Sequence, residues 1–140
     1  MTDVSVAGRV KGLPARTTRK VVRAVLSGER REAAVTVTWI GAVAMRRLNA
    51  KHMKHDYPTD VLSFALPLPD GRLAGDIYIC PAEALKNAGS LGVRPREELI
   101  RLLVHGMLHV LGYDHPEARG RERSPMWRRQ EKYMKKLLGA

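Results

Sequence analysis

Apolar and polar residues alternate in some stretches of the chain and recur every three to four residues in others, which predicts both strands and helices. AVTVTWI (34–40) alternates in the manner of a strand with one buried face. Residues 17–26 place three valines at helical spacing, and the Ser27-Gly28 pair should end that helix. The same reasoning predicts a first strand in VSVAGRV, a short helix at 42–50, strands at 61–66 and 72–80, and a helix at 81–89.

The order of these elements predicts an α+β fold in which a small mixed sheet of about four strands packs against helices. Asp70-Gly71 separates the strands at 61–66 and 72–80 and predicts that they form an antiparallel hairpin. The longest helix is expected over residues 95–111. Because this helix is apolar around most of its circumference, it should be the central one.

The end of the sequence predicts a further amphipathic helix over residues 124–138. Its spacing turns Trp127, Met134 and Leu138 inward and most of its arginines and lysines outward. No repeat and no long linker divides the chain, so residues 1–140 are expected to form a single domain.

The charge balance is strongly basic, with 25 lysines and arginines against 14 aspartates and glutamates and a formal net charge of +11. Such an excess attracts polyanions, of which nucleic acid is the abundant cytosolic one. Basic charge also serves solubility or an acidic protein partner, so charge alone leaves these interpretations open.

The remaining composition indicates a soluble, cytoplasmic protein. No run approaches the roughly 18 apolar residues of a membrane helix, and the N-terminal residues lack a secretory signal pattern. Cys80 is the one cysteine, which excludes an internal disulfide and is typical of a reducing compartment. We interpret Cys80 as a small buried hydrophobe at the end of a strand.

The stretch HGMLHVLGYDH (105–115) contains the candidate chemistry of the chain. His105 and His109 lie four apart on the central helix and therefore share one of its faces. Gly112 can end the helix in a left-handed conformation and turn the chain back, which would bring His115 to the same point. Three histidines would leave a fourth ligand position for water, as in catalytic zinc sites. The alternative is that these are ordinary core or surface histidines.

The same histidine spacing occurs in metzincin peptidases, where a glutamate general base follows the first histidine. Gly106 occupies that position here, so the peptidase mechanism lacks its base. We expect Gly106 to allow close packing against a neighbouring strand, and the alternative is that it makes room for substrate.

Together with PTDVLSF (58–64) and GDIYIC (75–80), HGMLHVLGYDH resembles the signature of the YbeY family, bacterial endoribonucleases that act as ribosomal RNA maturation factors. The resemblance implies an α+β fold with a four-stranded mixed sheet, and one zinc ion held by His105, His109 and His115. It also implies metal-dependent, single-strand-directed cleavage of RNA at the 3′ end of small-subunit ribosomal RNA, and a part in ribosome quality control. Ribosomal RNA and the small subunit would then be the partners.

One position departs from the family pattern. Met53 stands where the family commonly has an arginine that is a candidate for handling substrate phosphate. Lys54 and Lys51 are the nearby cations, but a lysine cannot form the bidentate contact of a guanidinium. Lys54 is therefore our candidate for phosphate contact, with the loop histidines His52 and His55 expected to be solvated.

Two further side chains are candidates for the catalytic site. Ser63 should point away from its neighbours in the strand and towards a substrate groove, although a hydroxyl satisfied within the sheet is the favoured interpretation. Asp114 would either orient a ligand histidine or hold the turn. Asp76 is a second candidate for orienting a histidine.

The mechanism that these residues favour is hydrolysis of a phosphodiester by a water molecule that a bound metal activates. Two alternatives belong to other classes of protein. One is a ribosome-assembly factor that binds RNA without cutting it and uses zinc only to brace its fold. The other is a zinc hydrolase of another substrate, such as peptides. The basic C-terminal stretch is either a solvated helix face or a contact for ribosomal RNA.

Overall fold

The structure is a computed structural model, and it describes residues 2–115 and 120–139. A short 3-10 helix at Arg121–Arg123 precedes the last α-helix. In chain order the main elements are β1 (Asp3–Ala7), α1 (Ala15–Glu29), β2 (Ala33–Trp39), α2 (Ala42–Met53), β3 (Val61–Pro67), β4 (Leu73–Ile79), α3 (Pro81–Leu91), α4 (Pro95–Val110) and α5 (Pro125–Leu137).

The strands form one mixed sheet in the order β1-β2-β4-β3. β1, β2 and β4 run parallel, and β3 pairs antiparallel with β4 from Val61–Ile79 to Pro67–Leu73. Gly71 lies in the connecting turn with a φ of 89°, a conformation that favours glycine. The four-stranded mixed sheet and the predicted hairpin are therefore confirmed.

Alternation along the strands separates two apolar clusters on opposite faces of the sheet. Residues at odd positions of β2 and β4, such as Val37 and Ile77, belong to the larger cluster, which α1, α4 and α5 cover. The smaller cluster on the other face contains Leu62 of β3 and Met45 of α2. α2 and α4 therefore pack on opposite faces of the sheet.

α4 is the most buried helix of the described residues, as its apolar circumference predicts. Every residue from 98 to 110 is buried except Arg101 and His109, which are half-buried. The helix ends at Val110, one residue before the predicted end, and Leu111 packs against the larger cluster beyond it.

Two helices extend beyond their predicted ends. α1 continues through Gly28 to Glu29, and Gly28 makes room for the ring of Tyr133, which a β-carbon at this position would collide with. α2 continues to Met53, so that His52 lies in a helix and not in the predicted loop.

One inward-facing position of α5 was predicted wrongly. Leu138 lies beyond the end of the helix and is 39% exposed. Met134 is buried as predicted, and Trp127 is half-buried. Tyr133, whose hydroxyl reaches α1, is buried beside Met134.

Two predictions from composition concern single features. Cys80 is fully buried directly after β4, as expected for a small hydrophobe at a strand end. Among the helices of the described residues, none is both long enough and apolar enough to cross a membrane.

Candidate metal centre and adjoining cavity

The end of α4 brings the three predicted histidines together. Gly112 has a φ of 100°, and its N–H donates to the carbonyl of His109 at 3.0 Å. The N–H of Tyr113 donates to the carbonyl of Leu108 at 2.9 Å and completes the helix end. The chain then reverses and carries His115 back to the face of α4.

The three imidazoles converge through their Nε2 atoms. The Nε2 atom of His105 lies 3.1 Å from that of His109 and 3.2 Å from that of His115. Tetrahedral zinc with Zn–N bonds of about 2.0–2.1 Å separates its ligand nitrogens by about 3.3 Å. The two Nε2 separations from His105 are close to this value, and the ligand atoms of all three histidines lie within 4.8 Å of one another. Three imidazoles in this arrangement are a donor set that fits zinc or a similar transition metal.

A chain of hydrogen bonds fixes the tautomer of His105. Glu131 accepts from the guanidinium of Arg101 at 3.1 Å, and the amide nitrogen of Gln130 donates to the same carboxylate at 3.0 Å. The amide oxygen of Gln130 must therefore face Nδ1 of His105, 2.7 Å away, and accept its hydrogen. This arrangement leaves the Nε2 lone pair of His105 available for a metal.

The pKa of Glu131 supports this orientation. Burial raises it, but hydrogen bonds from Arg101 and Gln130 outweigh burial and hold it below its usual range. An ionised carboxylate only accepts hydrogen bonds, which excludes the flipped amide of Gln130.

The backbone fixes the tautomer of His109. Its Nδ1 atom donates to the carbonyl oxygen of Tyr113 at 3.1 Å. The hydroxyl of Tyr113 donates in turn to Glu29 at 2.6 Å, and the hydroxyl of Tyr133 donates to the other oxygen of that carboxylate at 2.5 Å. The end of α1 thereby anchors the turn that carries the site.

Gly106 allows α4 to approach the sheet closely. A β-carbon at this position would lie 2.9 Å from Cγ2 of Ile77 and 3.0 Å from Oγ of Ser63. The packing interpretation of Gly106 is therefore confirmed. Ser63 is half-buried and faces α4, away from Leu62 and Phe64, as its place in the strand predicts.

The other predicted side chains lie in different surroundings. Asp114 is exposed, and its Oδ1 atom accepts the N–H of His115 at 2.8 Å, so the carboxylate holds the turn. Asp76 is exposed on the face of the sheet opposite α4, where it cannot orient a ligand histidine. Lys54 is the exposed, left-handed residue that ends α2, with a φ of 58°.

A cavity of about 620 Å³ adjoins His105. The sequence did not predict this cavity, because its walls come from the segment before β3 and from α3, α4 and α5, and α5 is distant in the chain from the segment before β3. The residues that line it include Asp60, Asn87, Glu98, Arg101, His105 and Trp127.

Comparisons with known proteins agree with the geometry. A family model described as Endoribonuclease YbeY matches residues 9–138. A relative of that name from Chlorobium phaeovibrioides is 36% identical over 134 residues, covering 93% of this chain and 86% of its own. A relative of the same name from Moorella thermoacetica is 40% identical over 117 residues, covering 74% and 75%. The solution structure of TM1509 from Thermotoga maritima superposes with a TM-score of 0.68 at 28% identity, covering 97% of this chain and 89% of that one.

Proposed function

Because the chain belongs to the endoribonuclease YbeY family, we propose that it is a zinc-dependent endoribonuclease that hydrolyses phosphodiester bonds in single-stranded RNA. Its proposed substrate is the 3′ end of small-subunit ribosomal RNA, and its proposed role is ribosome maturation and quality control in the cytoplasm. The formal net charge of +11 favours a polyanionic substrate.

The observation that carries this proposal is that the Nε2 atoms of His109 and His115 lie 3.1 Å and 3.2 Å from that of His105. Acceptors also hold the Nδ1 hydrogens of His105 and His109 away from this point. His105, His109 and His115 would hold the metal. When bound, a metal of this kind supplies a Lewis acid and lowers the pKa of a coordinated water molecule towards neutrality. Gly106 stands where metzincins have their glutamate general base. A mechanism in which the metal, and not a protein carboxylate, activates the water is therefore favoured.

The remaining candidate residues have proposed roles that follow from their places. Ser63 lies beside Gly106 of α4, and its hydroxyl packs against the helix next to His105. Asp114 holds the backbone of His115. Lys54 is proposed to contact substrate phosphate. It follows the last residue of α2, and α2 and α4 pack on opposite faces of the sheet.

The basic face of α5 is proposed to contact ribosomal RNA. Its outward side chains are exposed cations: Arg128, Lys132, Lys135 and Lys136. Phosphate contacts of this kind weaken as salt concentration rises, which distinguishes them from a merely solvated face.

The test combines metal analysis with RNA cleavage. The untagged protein should contain about one transition-metal ion per chain and should cut a structured RNA with single-stranded 3′ ends. His109→Ala, purified identically to control for contaminating ribonuclease, should retain its fold by circular dichroism and lose both the metal and the cleavage.

Other outcomes would support a different function. RNA binding without cleavage by the metal-loaded protein would indicate the non-catalytic assembly factor. Hydrolysis of casein without cleavage of RNA would indicate a peptidase.

A further inference from the structure

The cavity beside His105 extends along one face of α4. Glu98, Arg101 and His105 lie at positions i, i+3 and i+7 of the helix and all border the cavity. At 1.5 Å per residue, Glu98 lies about 10 Å along the helix axis from His105. The cavity therefore extends from the candidate metal centre at least as far as Glu98.

Glu98 at the far end of this cavity has an unsatisfied oxygen. The residue is only 4% exposed, and its Oε1 atom accepts no hydrogen bond from the described residues. The guanidinium of Arg101 stands 3.8 Å away, an ion-pair contact that is too long for a hydrogen bond. A buried oxygen without a donor is energetically unfavourable, so a ligand N–H that reached this atom would stabilise the bound state.

Burial also raises the pKa of Glu98, although Arg101 and the amide of Asn87 oppose the rise. Groups with such pKa values are concentrated at functional sites.

A second carboxylate stands beside Glu98. Asp60 borders the same cavity, and its Oδ2 atom accepts from the amide of Asn87 at 2.8 Å. After burial, the negative charge of Asp60 is a further cause of the raised pKa of Glu98. This end of the cavity therefore presents carboxylate acceptors to a ligand.

Another part of the cavity wall is aromatic. Trp127, in the first turn of α5, is half-buried and borders the cavity, and Leu102 adds an apolar surface. An aromatic plane next to a set of acceptors suits a planar heterocycle that carries several N–H donors. RNA-binding proteins read unpaired bases in this way, by stacking and by hydrogen bonds to the base edge.

We propose that this cavity binds one unpaired guanine base of the RNA substrate, stacked on Trp127, with N1–H and the N2 amino group donating to Glu98. Guanine presents these two donors side by side and so matches a carboxylate. Uracil presents carbonyl oxygens on both sides of its one N–H, which the carboxylates would repel. This inference rests on the proposed function, because the base would belong to a nucleotide that flanks the phosphate at the metal centre.

Nucleotide binding tests the proposal without any cleavage. The full chain, saturated with Zn²⁺ and labelled with ¹⁵N, is titrated at pH 8 with guanosine 5′-monophosphate, uridine 5′-monophosphate or inorganic phosphate. The two indole N–H signals report the result, with the signal of buried Trp39 as the internal reference and Trp127→Phe giving the assignment. We expect guanosine monophosphate to shift the Trp127 signal and to bind at least tenfold more tightly than uridine monophosphate.

Variants then locate the contact. Glu98→Gln keeps the shape of the side chain but replaces one acceptor with a donor, and should weaken guanosine monophosphate binding at least tenfold. Glu83→Gln, in α3 and outside the cavity, is the matched control and should bind as the unaltered chain does. If Glu98→Gln does not fold, Asp60→Asn takes its place, with a smaller loss expected.

Three results would overturn the inference. They are equal affinity for the two nucleotides, unchanged binding in the foldable carboxylate variant, and a Trp127 shift as large with inorganic phosphate as with guanosine monophosphate. RNA cleavage separates this inference from the proposed function. Cleavage with no preference for sites next to guanine contradicts only the guanine subsite, whereas selective guanosine monophosphate binding by a protein that cuts no RNA contradicts only the nuclease.

Discussion

Two helices of this protein, α2 and α4, carry histidines near their C-terminal ends, and the surroundings of the imidazole rings differ between the two. His52 in the last turn of α2 and His55 after it are exposed, and their rings lie 5.0 Å from Phe64 and 5.2 Å from Tyr57. At the end of α4, His105 and His109 have a hydrogen-bond acceptor directly behind Nδ1.

The difference teaches that histidine spacing is only the first requirement for a metal centre. The α4 histidines stand on a helix that is buried on nearly all sides, so their backbone positions are fixed. Acceptors from other parts of the fold then hold the hydrogen on Nδ1, so that the Nε2 lone pair points to the other histidines. The α2 histidines have aromatic neighbours, which do not select a tautomer.

The largest expected effect comes from removing the acceptor behind His105. Gln130→Leu should weaken metal affinity by about 10- to 100-fold, because Nδ1 of His105 loses the group that holds its hydrogen. His52→Ala at the α2 end is the control and should leave affinity unchanged. Competition with a chromophoric chelator measures both, and equal affinity of the two variants would contradict the importance of the acceptor.

The second prediction compares a closely packed helical glycine with an open one. Gly106→Ala should lower the free energy of unfolding by about 1 kcal/mol, because overpacking against Ile77 costs more than the helix gains from alanine. Gly89→Ala in α3 meets open space and should raise stability by up to about 1 kcal/mol. Urea unfolding measures both, and a stabilising Gly106→Ala would show that the sheet can move away from α4.

The third prediction compares a carboxylate beside α4 with one beside α2. Burial raises the pKa of Glu29, but the hydroxyls of Tyr113 and Tyr133 and the charge of Arg129 hold it below its ordinary value of 4.5. Glu29 therefore stabilises the fold fully above pH 4.5, and this contribution disappears as the pH falls through the lower, folded-state pKa.

Glu29→Gln should accordingly lower stability at pH 7 by about 1 kcal/mol and bring little change at pH 3. Asp56→Asn removes the fully exposed pair with Arg46 and should change stability little at either pH. A loss from Glu29→Gln that is as large at pH 3 as at pH 7 would assign the effect to packing.

The sequence predicted the histidine cluster because all of its determinants are local. Two histidines four apart define a helix face, and Gly112 supplies the turn that returns His115. Gln130 could not be found in this way, because no local spacing relates a residue of α5 to His105, 25 positions earlier. The cavity was not predicted for the same reason.

The errors at helix ends also have a tertiary cause. Gly28 is a poor helix former and predicted a stop, but the ring of Tyr133 needs the space that glycine leaves, and α1 continues beneath it. Leu138 was predicted to face inward because the helical period of α5 was continued past Leu137, where the helix ends. In both cases the helix end could not be located from the local sequence pattern alone.

The contact between Gln130 and His105 has a consequence for the order of events during translation. A nascent polypeptide that has exposed all three imidazoles, but not yet α5, lacks the amide that fixes the first ring. Such an intermediate would capture an ion weakly and exchange it quickly. The metal affinity would thus rise in a later step of biosynthesis, when the helix that carries Gln130 packs against α4.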